Sequence, residues 1–270
     1  MANAQAKGRR ASMSRRRFTL TPIHALASFR SPLRRSLPIA RPLDKLTEFL
    51  LIAPVLLLAM VAHEYAHGYA ALKQGDPTAY QLGRLTWNPV KHIDPFMTVL
   101  LPIMTYFYGN FLFGGAKPVP VTPRNYRNYK RGDIIVSLAG VATNLVLAVA
   151  SVLLIIGIGL AGRAVPPGAA GAFATLQHMM WWSVQFNLVL VAFNLLPIPP
   201  LDGSHVAKYL MPPAWALQYQ RLGAYGIVIL LLLLTFGRPL LAVWMAPVSL
   251  FAGIAMRVVT PYIVQAPPVP

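Results

Sequence analysis

Residues 46–72 read LTEFLLIAPVLLLAMVAHEYAHGYAAL, an apolar run with His63-Glu64-Tyr65-Ala66-His67 near its C-terminal end. A membrane-spanning helix needs about 20 predominantly apolar residues, and this run is long enough. Positions i and i+4 of a helix share a face, so both imidazoles can reach a single ion. Glu64 lies beside them, where its carboxylate can take a proton from a water on that ion. Zinc suits such a layout, with three protein ligands and a fourth position open. By composition alone the pattern H-E-x-x-H would arise in about one chain in a thousand of this make-up. Polar groups of this kind are costly in lipid, and spanning a bilayer does not require them. The competing reading is a buried hydrogen-bonded cluster without metal.

The rest of the composition also points to lipid. The chain has 270 residues, 56% of them hydrophobic and 11% charged, and seven carboxylates in all. Soluble domains carry about 25% charged residues. The net charge is +17, and residues 1–45 hold 11 of the 24 Lys and Arg while residues 73–133 hold eight. These blocks adjoin apolar runs, so anionic lipid headgroups are the expected partner rather than nucleic acid. There is no cysteine, so any metal must be held by His and carboxylate. Residues 1–45, basic and broken by Pro22, Pro32, Pro38 and Pro42, read as a disordered tail or a targeting segment.

Further apolar runs follow at 95–113, 134–160, 179–196 and 222–236, with a last one reaching about Met256. The expectation is an all-α polytopic membrane protein with five or six membrane segments, joined by short, partly extended connectors, in one embedded domain over 46–260. Pro54 should kink the first span. From Phe49 to His63 is about 21 Å of helix, so the histidines lie deep in the first span, toward connector 73–94. The positive charge of residues 1–45 would place that connector outside; if that tail is removed, the 73–133 block places it in the cytoplasm.

A third ligand must come from elsewhere. His92 and Asp94 are the nearest candidates along the chain. Asp202, in Asn194-Leu195-Leu196-Pro197-Ile198-Pro199-Pro200-Leu201-Asp202-Gly203, is the stronger one. Three prolines close an apolar run there. Non-helical backbone at membrane depth is tolerated only where it is buried in protein or lines a water-filled cavity. The alternative is a proline-rich surface turn with Asp202 solvated.

The paired motifs, H-E-x-x-H and the stretch from Asn194 to Gly203, resemble the site-2 proteases, in the short form that lacks PDZ and CBS modules. Gly75-Asp76-Pro77, Gly83-Arg84-Leu85-Thr86-Trp87-Asn88-Pro89, His92-Ile93-Asp94-Pro95 and Asn125 agree with that family, as do Lys117, Pro118, Val119, Pro120 and Val121. The likeness covers about residues 47–210. It implies a three-helix core around one zinc ion inside the membrane and an endopeptidase acting on transmembrane protein substrates in regulated intramembrane proteolysis. It implies His63, His67 and Asp202 as ligands, and Glu64 as general base for a zinc-activated water. Asn194 then assists at the active site. The family's Ala-Gly-Pro is Ala139-Gly140-Val141 here, followed by Asn144. The extended stretch 117–121 could offer a strand edge to substrate, or could be a plain interfacial loop. No soluble cofactor is implied. The setting would be a bacterial cell membrane, or an organelle membrane if residues 1–45 are a transit peptide. The competing functions are a catalytically silent scaffold of the same fold and a membrane metal-binding or transport protein. His205 reads as a surface residue, His92 as a connector contact, His178 as a membrane-boundary residue and His24 as inert.

Overall fold

The structure is a computed structural model and describes residues 45–109 and 112–264. His24 and the basic tail or targeting segment, apart from Lys45, lie outside the described residues. Helix α1 spans Lys45–Gln74 and runs through Pro54 as one element. Glu48 in its first turn and Lys73 in its last complement the helix dipole. Gly75 ends it at φ +107°, with Gly75 N–H bonded to Leu72 O and Asp76 N–H to Ala71 O. This paired bonding needs a left-handed residue, which glycine supplies without strain.

Short elements follow: α2 at Thr78–Gln81, a 3-10 turn at Pro89–His92, and a π-helical turn at Pro95–Leu100 leading into α3 at Leu101–Phe107. The long helix α4 spans Tyr129–Gly162, with Asn128 accepting from Arg131 N–H as its N-cap. Next come α5 at Ala170–Asn194 and the six-residue α6 at Asp202–Ala207, which continues into a 3-10 turn at Lys208–Leu210. Helices α7 (Pro213–Arg221) and α8 (Gly226–Phe236) form one continuous span, and α9 (Arg238–Trp244) and α10 (Ala246–Val259) are joined at a 44° bend.

All regular structure among the described residues is helical. Lipid favours this, because a helix satisfies its own backbone polar groups. Among the described residues three helices are long and apolar enough to cross a membrane, or four if the bent pair is one span, against the five or six segments expected. Two apolar runs account for the difference. Residues 95–107 form about 20 Å of helix, short of the ~30 Å hydrocarbon core. The chain then folds back: Phe113 N–H bonds Thr105 Oγ1 at 3.0 Å, Gly115 N–H bonds Met97 O at 2.9 Å, and Thr98 Oγ1 donates to Gly115 O at 2.6 Å. Residues 113–115 therefore lie back against residues 97–105, and the helix at 95–107 is not among those long enough to cross by itself. Helix α5 is long enough, but Gln177, His178, Gln185 and Asn187 lower its hydropathy, and all four are buried within the protein. His178, expected at a membrane boundary, is 3% exposed and accepts from Trp182 Nε1 at 3.2 Å.

Helices α4, α5 and α1 pack together as the centre of the molecule. A single apolar cluster joins α4 and α5 to α9 and α10, through Ile155, Trp181, Val184, Leu241, Val248 and Val259. Gln177 bonds Ile155 O and Tyr262 O and accepts from Val264 N–H, tying the end of the described chain to this core.

Asp76 fixes the connectors. It is fully buried, and its carboxylate accepts from Thr78 N–H and Oγ1, Thr122 N–H and Asn125 Nδ2. Burial disfavours the charged form, but these donors outweigh it and hold the carboxyl below its ordinary range. A lowered folded pKa adds stability that is complete above the unfolded value, about 3.9, and is lost as the pH falls toward the folded one. The stability gap between wild type and Asp76→Asn is expected to be widest near pH 7 and to narrow below about pH 4. Thermal unfolding at pH 7, 5 and 3 checks this, and a gap independent of pH would refute it.

Candidate metal centre

His63 and His67 point from one face of α1 toward α4. His67 Nδ1 lies 2.7 Å from the carbonyl oxygen of Val136. A carbonyl only accepts, so Nδ1 carries the hydrogen and Nε2 keeps a lone pair. His63 Nδ1 lies 2.5 Å from Asn144 Oδ1. The orientation of that amide is fixed, because Asn144 Nδ2 donates to Asn187 Oδ1 at 2.7 Å and to Ala59 O. Asn187 is fixed in turn by donating to Ser183 O at 2.9 Å. His63 therefore also offers a bare Nε2. The two Nε2 atoms stand 2.9 Å apart.

Asp202 arrives from the other side. After α5 the chain passes Pro197, Pro199 and Pro200, and α6 begins at Asp202 itself. Gly203 makes the turn possible: a Cβ there would stand 2.3 Å from Leu195 O. The turn brings Asp202 Oδ2 to 3.2 Å from His63 Nε2 and 3.4 Å from His67 Nε2. Among the described residues these three form the one His/carboxylate group able to hold an ion. Three lone pairs converge, and Asp202 Oδ2 is buried without a hydrogen-bond donor. Ligands at about 2.0–2.1 Å around a tetrahedral zinc are about 3.3 Å apart. The observed 2.9, 3.2 and 3.4 Å bracket that spacing, so the residues fit the ion.

Glu64 is half-buried, and its Oε2 accepts from Val119 N–H at 2.7 Å. Residues 117–121 thus pass directly over the carboxylate. Arg84 Nη2 donates to the carbonyls of Lys117 and Pro118, and Lys117 N–H bonds His92 O. His92 is fully buried, with Nε2 2.9 Å from Thr86 O, so it braces the connector. Asp94 accepts from Phe96 and Met97 N–H and so caps the turn at Pro95–Leu100. Neither belongs to the metal group. Asn194 ends α5, and its Nδ2 donates one hydrogen to Leu190 O at 3.0 Å. His205 is partly exposed and contacts Asp133 Oδ1 at 3.2 Å.

The least legible part is a stripe on α4. Asp133, Val136, Gly140 and Asn144 follow at intervals of three, four and four, and all four are buried. Val136 and Asn144 hold the imidazole Nδ1 atoms. Gly140 leaves the space that the rings fill, since a Cβ there would stand 2.5 Å from His63 Cε1 and 2.6 Å from His67 Nε2. Asp133 contacts the segment that follows Asp202. Gly140 and Asn144 are visible in the sequence only through the resemblance, and Asp133 carries no local signal.

Comparison with known proteins places the chain among zinc metalloproteases. Residues 158–234 match the model of peptidase family M50. A Bacillus subtilis protein, provisionally named zinc metalloprotease YwhC, is 38% identical over 179 residues, which are 66% of this chain and 77% of that protein. A Mycolicibacterium smegmatis protein, provisionally named zinc metalloprotease Rip2, is 34% identical over 168 residues, 60% of this chain and 58% of its own. The Mycobacterium tuberculosis protein of the same name is 28% identical over 167 residues, with the same coverage. No solved structure matches the chain.

Proposed function

The chain belongs to peptidase family M50, the site-2 protease family, and from that membership we propose that it is an intramembrane zinc metalloendopeptidase acting on transmembrane protein substrates. The observation that carries this reading is the convergence of His63 Nε2, His67 Nε2 and Asp202 Oδ2 beside Glu64, with both histidines and Glu64 on a helix long and apolar enough to cross a bilayer. His63, His67 and Asp202 would hold one zinc ion, which when bound would supply Lewis-acid polarisation of the scissile carbonyl and a more acidic attacking water. Glu64 takes the proton of that water and delivers it to the leaving amine. The N–H of Val119 steadies the Glu64 carboxylate. Asn194 has a second amide hydrogen to offer, and the developing oxyanion is its target.

Substrate lies along residues 117–121. A transmembrane helix must unwind before its peptide bond can be attacked, and an extended edge favours the unwound form. Val121 is partly exposed and its N–H has no hydrogen-bond partner among the described residues, which favours pairing with an extended substrate there. Lys117 stands at the entry to this edge, and Pro118 and Pro120 keep it extended. Lipids surround the helices. The relatives are bacterial, which supports a bacterial cell membrane, with connector 73–94 on the cytoplasmic side.

The full chain, purified in detergent with a membrane-helix substrate, tests the proposal. A strong chelator is expected to stop cleavage and added zinc to restore it. Asp202→Ala should lower zinc content by about 10-fold or more at limiting metal. Cleavage that survives chelation would refute the metal role. Stoichiometric zinc without cleavage of any of several substrates would favour a silent scaffold.

A further inference from the structure

Asp133 is a buried carboxylate outside the metal group, and none of the chemistry above uses it. It is 2% exposed. Lys208 Nζ lies 2.6 Å from its Oδ2, Tyr209 Oη donates to the same oxygen at 2.9 Å, and His205 Nδ1 lies 3.2 Å from Oδ1. All three partners come from one short stretch. Lys208 is also buried, so the ion pair is shielded from water.

That stretch is the continuation of α6, whose first residue is Asp202. Positions 202, 205, 208 and 209 follow at steps of three, three and one, so they share a helical face. One end of the face presents Asp202 to the imidazoles, and the other end is bound to Asp133. On α4 the same span separates Gly140, beside the imidazoles, from Asp133. Both intervals are seven residues, about 10.5 Å of helix. The two elements therefore run side by side, in contact at both ends. Helix α6 is only six residues long, no side chain caps its start, and a proline-rich stretch precedes it. Little within α6 itself fixes its rotation.

We propose that Asp133 is a positioning residue for the metal site: by binding Lys208, Tyr209 and His205 it sets the rotation and height of α6, and so aims the Asp202 carboxylate at His63 and His67. The inference rests on the zinc site proposed above. It makes α4 the common frame of the centre, with Asn144 bracing His63, Val136 bracing His67 and Asp133 bracing Asp202 at a distance.

A purely structural ion pair would give a different result in the test. In the double variant Asp133→Leu/Lys208→Met the pair is replaced by apolar groups, so no charge is stranded; such replacements are often neutral or stabilising. Full-length protein in detergent is stripped of metal, its thermal unfolding is recorded, and its zinc affinity is measured by competition with a chelating dye. The double variant is expected to unfold at or above the wild-type temperature, yet to bind zinc about 10- to 100-fold more weakly, the loss typical of removed outer support. Tyr209→Phe leaves both charges paired and should weaken zinc by a smaller factor. Wild-type zinc affinity in both variants would overturn the proposal. So would a double variant that regains wild-type affinity after a single Asp133→Leu has lost it. Wild-type protein with no zinc affinity would instead overturn the metal site itself.

Discussion

Gly140→Ala is expected to remove zinc from the protein, and proteolysis with it. A Cβ at this position would stand 2.5 Å from His63 Cε1, 2.6 Å from His67 Nε2 and 2.7 Å from His63 Nδ1. Contacts that short are not sustained, so either the rings or the helices must move. The rings are not free to give way. His67 is bonded to the backbone of α4 itself, at Val136 O, and His63 to Asn144 on the same helix. Separating α4 from α1 would break those same bonds. Each path turns both Nε2 lone pairs away from Asp202. Loss of one outer partner typically weakens a metal site by 10- to 100-fold, and here both histidines are displaced, so a loss of at least about 100-fold is expected. Metal analysis of the purified variant after gel filtration checks this. Full zinc occupancy with wild-type cleavage would show that the space over Gly140 does not matter.

The second large effect is on the reaction alone. Glu64→Gln should keep its zinc and lose about 10²- to 10⁴-fold in cleavage rate, the usual contribution of a positioned general base. Glutamine retains a side-chain carbonyl oxygen, so it can still accept from Val119 N–H, and residues 117–121 stay seated. What it lacks is the ability to take up a proton at working pH. The variant thus separates two roles that alanine would remove together. Zinc stoichiometry and cleavage of a membrane-helix substrate are measured on the same preparation. A rate within about tenfold of wild type would transfer the base role to another group. Loss of zinc would mean that Glu64 supports the ligands.

The two effects differ in how far the sequence could foresee them. Glu64 is legible from five consecutive residues, because helical geometry at i and i+4 is local. Gly140 is not: its importance comes from rings that approach across a helix crossing, 77 and 73 positions away in the chain. The run 95–113 shows the same limit in the fold. Its apolar residues read as a span because length and hydropathy do not record where a chain reverses. The reversal is set by Thr98 and Thr105, whose hydroxyls bond Gly115 and Phe113. In helix α5 the same limit concerns polarity. Its Gln177, Gln185 and Asn187 lower its hydropathy, yet they are buried against neighbouring helices and not exposed to lipid.

By itself the sequence determined a helical membrane protein carrying two imidazoles and a carboxylate on one turn of its first long helix. Composition selects lipid as the solvent, and the 3.6-residue period fixes which side chains share a face. The sequence pointed to Asp202 as the distant carboxylate only with the help of the family resemblance, and tertiary structure alone decided which nitrogen each ring presents and that Asp133, Val136, Gly140 and Asn144 form the frame behind them. Those outcomes depend on the crossing and rotation of α1, α4 and α6. Many crossings can bury the same apolar stripes, and the pairing that survives is the one that also satisfies the buried polar groups.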